Sequence, residues 1–170
     1  MVRVGVVGGS GYTGGVAARL VATHPDFSLA FCTSDKLAGK PLADHLMVAA
    51  QGDFQPNGAA LELADRCDAV LLATSAEVSA KLAPTLMERG KATVDLSGAF
   101  RLAVGQYPSW YGFEHPAPAW LQRAHYGLPE IFGAPPAGKL ISNPGCYPTA
   151  ALLALAPLVR AGLVEPNALV

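Results

Sequence analysis

The chain has 170 residues, of which 51% are hydrophobic and 15% charged, and its formal net charge is −1. This composition predicts one folded domain with a substantial core and excludes a disordered chain. Scattered Lys and Arg argue against a nucleic-acid surface, and no apolar stretch is long enough to span a membrane. Three cysteines without metal-ligand spacing predict neither a disulfide framework nor a metal site. We therefore expect a cytoplasmic protein without a secretory signal.

Short apolar segments alternate with helical patterns along the chain. Six segments have the length and residue types of strands: 2–7, 27–32, 59–63 (as an edge strand), 69–73, 92–96 and 139–142. Three helices are predicted: 14–23, the segment from an N-cap at Ser75 to Gly90, and the apolar segment behind Cys146, buried on most faces and closed by Gly162. This alternation predicts an α/β fold with a Rossmann-like, doubly wound and mostly parallel sheet.

Two segments interrupt this pattern. Residues 36–57 mix helix formers with Gly and Pro and carry no assignment, whereas residues 105–124 form a long excursion rich in Pro and aromatic residues. An excursion of this length predicts a binding role. The chain stops where a turn at Pro166-Asn167 leads into an apolar run, so we expect the start of a second domain.

A glycine-rich loop follows the first strand and opens the first helix. Its spacing is GxxGxxG, a variant of the dinucleotide fingerprint in which glycines let the backbone approach a pyrophosphate at a helix N-terminus. The alternative is a plain tight turn. The predicted cofactor contacts in this loop are Gly8, Ser10, Gly11, Tyr12, Thr13 and Gly14.

The residues at the end of the second strand indicate whether the cofactor's ribose carries a 2′-phosphate. An NAD site usually offers an acidic residue there, whereas a 2′-phosphate favours polar and cationic groups. Thr33, Ser34 and Lys36 suit a phosphate, and Asp35 argues against one. The segment predicts NADP, bound in part by Thr33, Ser34 and Lys36.

Cys146 is the candidate nucleophile. It lies in the turn Asn143-Pro144-Gly145-Cys146-Tyr147-Pro148-Thr149, directly before an apolar helix. Free N–H groups and the positive end of a helix dipole favour thiolate over thiol, and Pro148 suits the first helical position. The alternative is a small, buried and inert cysteine.

Together these motifs make the chain similar to the N-acetyl-γ-glutamyl-phosphate reductases of arginine biosynthesis. The resemblance rests on six ordered strings: VGGSGYTG at 7–14, TSDKLAGKP at 33–41, VDLSGAFRL at 94–102, WYGFEHP at 110–116, YGLPE at 126–130 and NPGCYPTAALLAL at 143–155. Aminoadipyl-phosphate reductases diverge around the cysteine, and aspartate-semialdehyde dehydrogenases share the chemistry but not these strings. The intact NPGCYPT string therefore favours the glutamyl substrate.

This resemblance implies NADPH-dependent reduction of a small-molecule acyl phosphate to a semialdehyde. Cys146 would attack the acyl carbon and expel phosphate, leaving a thioester for hydride reduction. The resemblance places Arg101 near the leaving phosphate, and Ser97 and Asn143 are candidates to orient substrate. A surface salt bridge is the alternative for Arg101. Gly98-Ala99 stands where many relatives carry Ala-Asp, so that aspartate's contact is missing.

The resemblance also divides the chain at the cysteine. Residues 1–145 would form the NAD(P)-binding domain, and residues 146–170 the nucleophile helix and the start of a catalytic and dimerisation domain. The family's histidine base and homo-oligomer contacts would lie beyond residue 170, so this chain alone is expected to be inactive. His24, His45, His115 and His125 are not assigned as that base. The alternative functions are a non-catalytic NAD(P)-binding module and a related acyl-phosphate reductase of the aspartate-semialdehyde or aminoadipyl type.

Overall fold

The computed structural model describes residues 1–165 and 167. Six strands form one parallel sheet: β1 Val2–Val7, β2 Phe27–Thr33, β3 Ala69–Leu72, β4 Ala92–Asp95, β5 Ala124–Tyr126 and β6 Leu140–Ser142. The strands lie in the order β2-β1-β3-β4-β6-β5. The predicted doubly wound sheet is confirmed. The order reverses between β1 and β3, and the carboxyl ends of strands at such a reversal form the usual ligand crevice.

Helices cover both faces of this sheet. They are α1 Tyr12–Thr23, α2 Leu42–Leu46, α3 Ala60–Leu63, α4 Ala76–Glu88, α5 Tyr107–Tyr111, α6 Pro118–Leu121, α7 Pro129–Phe132 and α8 Cys146–Arg160. Successive side chains of β1 point to opposite faces of the sheet, as they do along any strand. Val7 joins the larger core with α3 and α4, and Val6 joins a smaller core with α1 and α2. Each fully buried aliphatic side chain contributes about 1.5–3 kcal/mol.

The strand predicted at 59–63 is wrong, because this segment is helical. A 3-10 turn at Asn57–Ala59 leads into α3. The buried residues are Ala60, Leu63 and Ala64, spaced as one face of a helix, while Glu62 is exposed. The spacing of the apolar residues therefore indicates the helix, although the segment is short enough for a strand.

The excursion at 105–124 contains two short helices, α5 and α6, and ends in a strand that the sequence did not predict. β5 continues the sheet beyond β6, with Tyr126 opposite Ser142. Its three residues carry no β-branched side chain and a single strand-favouring residue, Tyr126, so local propensity gives little strand signal here. Pairing with β6 therefore determines its conformation.

Helix α8 differs from its prediction. It is apolar as expected, but none of its residues is buried, and Leu153 and Leu158 are exposed. The helix packs against α7, where the Arg160 guanidinium donates a hydrogen bond to the Ile131 carbonyl (2.7 Å). Composition specifies an apolar surface but not what covers it, and within residues 1–165 most of this surface is uncovered.

The remaining expectations concern the ends of helices, the last residues of the chain and membrane spans. Ser75 is the N-cap of α4 and Gly162 has a positive φ of 69° just after α8, as predicted. The turn at Pro166 and the strand expected from Ala168 lie outside the described residues. No helix among the described residues is both long and apolar enough to cross a bilayer.

Candidate active site

Cys146 is the first residue of α8, directly beyond the carboxyl end of β6. Gly145 is the N-cap and offers no side chain to the helix, so the N–H groups of Cys146 and Tyr147 have no helical carbonyl to bind. Pro148 occupies the third helical position rather than the predicted first, still within the turn where its missing N–H costs no helical hydrogen bond. The start of α8 is therefore an open donor site for a developing negative charge.

The three cysteines differ in accessibility. Cys32 and Cys67 are buried, and desolvation raises the pKa of the Cys32 thiol to about 12. Cys146 is exposed. The alternative of a buried Cys146 is therefore wrong, whereas Cys32 and Cys67 lie in the core. The role of Cys146 as a nucleophile stays a prediction.

Arg101 is fixed beside the cysteine turn by two backbone carbonyls. Its Nε donates to the Asn143 carbonyl (2.8 Å) and its Nη2 to the Leu96 carbonyl (2.9 Å). These bonds connect the segments that follow β4 and β6. The third nitrogen, Nη1, lies 3.2 Å from the point that a Cβ on Gly145 would occupy. A larger residue at 145 would press on the guanidinium.

Arg101 forms no salt bridge with any residue that the structure describes. Nη1 also has no hydrogen-bond partner within residues 1–165. A planar guanidinium held by two of its nitrogens presents the third in a fixed direction. Arg101 therefore offers a pre-positioned cation, rather than the surface ion pair considered from the sequence.

One cleft brings the predicted groups together. Its volume is about 530 Å³, and its lining residues include Thr13, Arg101, Asn143, Cys146 and Thr149. Thr13 belongs to the glycine loop, so the end of that loop and the nucleophile face the same space. Ser10, Gly11 and Tyr12 line a neighbouring cleft of about 440 Å³. Proximity of a dinucleotide loop, an arginine and a thiol suits cofactor-dependent chemistry on an acyl group.

Ser97 and Asn143 have mainly local roles. The Ser97 hydroxyl accepts the Ala99 N–H (3.1 Å), and the Ser97 N–H donates to the Asp95 carboxylate (3.0 Å). Ser97 does not line the cleft. Asn143 does line it, and its amide donates to the Pro144 carbonyl (2.9 Å). Both residues shape the two turns, and substrate contact stays a prediction for each.

Sequence reasoning missed the residues that hold the Arg101 loop from behind. The fully buried Tyr107 hydroxyl donates to the Ala99 carbonyl (2.5 Å) and accepts the Leu102 N–H (3.3 Å). His115 Nε2 is 2.8 Å from the same Ala99 carbonyl. These contacts join residues 5, 8 and 16 positions apart, and of the two side chains only that of His115 lies in the WYGFEHP string.

His115 is held in its neutral form. The Ala117 N–H donates to Nδ1 (3.2 Å), so Nε2 must carry the proton that faces the Ala99 carbonyl. A proton on Nδ1 would oppose the Ala117 N–H. Burial lowers the pKa of His115 below its ordinary value of 6.5.

We expect this histidine to make folding stability depend on pH. The unfolded chain binds a proton near pH 6.5 more readily than the folded chain, so stability is complete above that pH and falls as the pH drops through it. The free energy of unfolding, measured between pH 8 and pH 5, should fall more steeply in the wild type than in His115→Gln. Identical slopes would contradict this assignment.

The glycine loop has the tight geometry that a dinucleotide requires. Gly8 has a φ of 93°, and a Cβ there would lie 2.5 Å from the Ala73 carbonyl oxygen. A Cβ on Gly14 would overlap the Gly8 carbonyl oxygen. At Gly11 an added Cβ would make only one ordinary contact, at 3.6 Å. The loop is thus closed toward the protein and open at Gly11, as a backbone cradle for a pyrophosphate must be.

The end of β2 supports this loop. The Gly8 and Gly9 N–H groups donate to the Thr33 carbonyl (3.1 and 2.8 Å). Thr33 and Ser34 are fully buried, and the Ser34 hydroxyl accepts the Leu37 N–H (3.1 Å). Lys36 is exposed. Full burial therefore contradicts direct 2′-phosphate contacts by Thr33 and Ser34, whose hydroxyls bond within the protein, and leaves Lys36 as the exposed member of the predicted set.

No histidine is among the described residues that line the cysteine cleft. His24 accepts the Asp26 N–H, His45 packs edge-on against Phe54, and His125 is part of β5.

The profile of the family described as "Semialdehyde dehydrogenase, NAD binding domain" matches residues 3–136. The chain belongs to this family. The match begins within β1 and ends before β6 and the cysteine turn.

Relatives with curated names support this placement. The chain is 42% identical over 168 residues to an N-acetyl-gamma-glutamyl-phosphate reductase of Methanothrix thermoacetophila, covering 97% of this chain and 48% of that protein. It is also 42% identical to a [LysW]-L-2-aminoadipate/[LysW]-L-glutamate phosphate reductase of Sulfurisphaera tokodaii, covering 100% and 50%. The chain thus spans about half the length of these relatives.

The fold is that of solved semialdehyde dehydrogenases. An aspartate semialdehyde dehydrogenase II of Vibrio cholerae superposes with a TM-score of 0.64 at 21% identity, covering 95% of this chain and 47% of that one. At this level of identity the likeness establishes the Rossmann-like architecture alone.

Proposed function

We propose that the full-length gene product reduces N-acetyl-γ-glutamyl phosphate to N-acetylglutamate 5-semialdehyde and phosphate, using NADPH and a thioester on Cys146. The observation that carries this proposal is the shared cleft, in which an exposed cysteine at an uncapped helix start lies with a fixed arginine and the end of the glycine loop. Relatives of 42% identity bear the corresponding names.

Cys146 would act as the nucleophile. Its thiolate attacks the acyl carbon, the bond from that carbon to the phosphate oxygen breaks, and phosphate leaves with the bonding electron pair. The carbonyl oxygen becomes negative during the attack. The free N–H groups of Cys146 and Tyr147 at the start of α8 are suited to stabilise it.

Arg101 would bind the departing phosphate. Its Nε and Nη2 are occupied by carbonyls, so Nη1 is the donor available to a phosphate oxygen in the cleft. A guanidinium is always charged and binds phosphate through short, charge-assisted hydrogen bonds. Asn143 and Ser97 would support substrate by fixing the turns on either side.

The glycine loop would hold the dinucleotide. Gly8, Gly11 and Gly14 would provide the cradle, Ser10, Tyr12 and Thr13 its outer side, and Lys36 the contact at the ribose end. The buried Thr33 and Ser34 would support the loop from inside the protein. When bound, NADPH supplies the hydride that reduces the thioester. Thr13, in the first turn of α1, lines the cysteine cleft, which supports a single site for the dinucleotide and the nucleophile.

We expect NADPH to bind more tightly than NADH. Lys36 is exposed at the end of β2, where it can pair with a 2′-phosphate, and a preference of about tenfold, or 1.4 kcal/mol, is the size expected of one such contact. Titration of the full-length protein with each dinucleotide checks this. A clear NADH preference would show that Asp35 dominates.

A second candidate substrate is an acyl phosphate carried by a LysW-type protein. It is favoured by the relative of Sulfurisphaera tokodaii, which is as similar to this chain as the arginine-type relative. The deciding assay follows NADP reduction with free N-acetylglutamate semialdehyde and phosphate. Turnover of the free compound supports the first proposal, and turnover only of the carrier-linked compound supports the second.

We further propose that α8 belongs to the junction with a second domain. The apolar surface of this helix includes Leu152, Leu155 and Val159, which line a groove of about 350 Å³. The relatives are about twice as long as this chain, and in a protein of that length a second domain would cover this surface and provide the histidine base. A homo-oligomer and a cytoplasmic location remain predictions for the full-length protein. If no dinucleotide-dependent turnover occurs but NADPH binds, a non-catalytic module is the remaining interpretation.

A further inference from the structure

Asp35 occupies the position that usually decides between NAD and NADP. It lies two residues past the end of β2 and about 20 residues beyond the glycine loop, where a carboxylate accepts hydrogen bonds from the ribose hydroxyls of NAD. The same carboxylate would repel a 2′-phosphate. A site that uses NADPH must therefore keep Asp35 away from the ribose.

Asn57 contacts this carboxylate twice. Its backbone N–H donates to Asp35 Oδ1 (2.8 Å), and its side-chain amide donates to Asp35 Oδ2 (2.9 Å). Each carboxylate oxygen thus has its own donor. Because the pair fixes both oxygens, it also fixes the direction in which the carboxylate points.

The same side chain reaches the strand end. The Thr33 hydroxyl donates to Asn57 Oδ1 (2.7 Å). Because the Asp35 carboxylate only accepts hydrogen bonds, the amide nitrogen must face Asp35 and the amide oxygen Thr33. Asn57 therefore connects Thr33, which supports the glycine loop, with Asp35. Its amide nitrogen is directed at the carboxylate by the bond that its oxygen accepts.

We propose that Asn57 is a specificity-determining positioning residue that holds the Asp35 carboxylate away from the cofactor ribose and so permits NADPH. Lys36 is then the charged group that meets the ribose end of the dinucleotide. This inference rests on the proposed NADPH dependence of the protein.

The test compares NADPH and NADH dissociation constants in four forms of the full-length protein: wild type, Asn57→Ala, Asp35→Ala and the double variant. In Asn57→Ala the carboxylate keeps only its backbone donor, and the preference for NADPH should fall about tenfold, or 1.4 kcal/mol. In Asp35→Ala the preference should change less than about twofold, because a carboxylate turned away contributes little. The double variant should recover the wild-type preference.

The ratio of the two constants separates positioning from structure. Loss of the Thr33 contact in Asn57→Ala would weaken both dinucleotides equally and leave the ratio unchanged. Asp53→Ala is the matched control, since Asp53 is an exposed acid near the same loop without a bond to Asn57. It should preserve the ratio.

Three outcomes would overturn the inference. An unchanged ratio in Asn57→Ala would contradict it while leaving NADPH dependence intact. A tenfold gain in NADPH preference in Asp35→Ala alone would show that the carboxylate already faces the ribose, and this variant decides the matter if Asn57→Ala does not fold. A wild type that binds neither dinucleotide would contradict the proposed function as well.

Discussion

The Cys146→Ser variant of the full-length protein should lose phosphate-dependent oxidation of N-acetylglutamate semialdehyde by at least about 10⁴-fold. A serine hydroxyl is not ionised near neutral pH, and no histidine lines the described part of the cleft to activate it. The exposed position of Cys146 means that serine fits without disturbing the core. NADP affinity should therefore stay within about twofold of the wild type.

Cys67→Ala is the control for this loss. Cys67 is buried in the larger core, and its thiol donates a hydrogen bond to the Ala64 carbonyl (3.3 Å). Its replacement should reduce stability by about 1 kcal/mol without changing turnover. Activity retained in Cys146→Ser would remove Cys146 from the mechanism, and equal losses in both variants would indicate a structural effect.

Arg101→Lys should lower kcat/KM for the acyl phosphate by roughly 100-fold, with a matching rise in KM for phosphate in the reverse direction. The arginine contacts the Asn143 and Leu96 carbonyls and still presents Nη1 to the cleft. A single ammonium cannot serve the two carbonyls and a phosphate at once. NADP affinity should be nearly unchanged, because the contacts of the glycine loop do not involve Arg101.

Arg89→Lys is the matched control, since Arg89 also donates to a backbone carbonyl, that of Leu61 (2.7 Å), but far from the cleft. It should behave as the wild type in both assays. An unchanged rate in Arg101→Lys would show that the guanidinium only ties the two turns together and does not meet substrate.

The sequence predicts structure best where an element depends on the residues within it. The β-branched run Val2–Val7, the glycines that follow it and the turn before Cys146 each have a local reason, and each lies where it was expected. Parallel strands all end at one sheet edge, so the glycine loop and the cysteine turn meet there even though the chain separates them widely.

What the sequence did not reveal depends on distant partners. Nothing near Asn57 in the sequence indicates that it will bind Asp35, 22 residues earlier, and nothing near His115 indicates its contact with the Ala99 carbonyl, 16 residues earlier. β5 exists through its pairing with β6. Helix α8 was also predicted only in part. Its apolar pattern predicts a helix but does not indicate what packs against it.

Intact-mass measurement of the full-length protein with the acyl phosphate, in the absence of NADPH, tests the central claim most directly. The thioester mechanism predicts one N-acetylglutamyl adduct per chain, located on Cys146 by peptide mapping, with one phosphate released and no adduct in Cys146→Ser. Phosphate release without an adduct on Cys146, or the same adduct in the serine variant, would contradict the account.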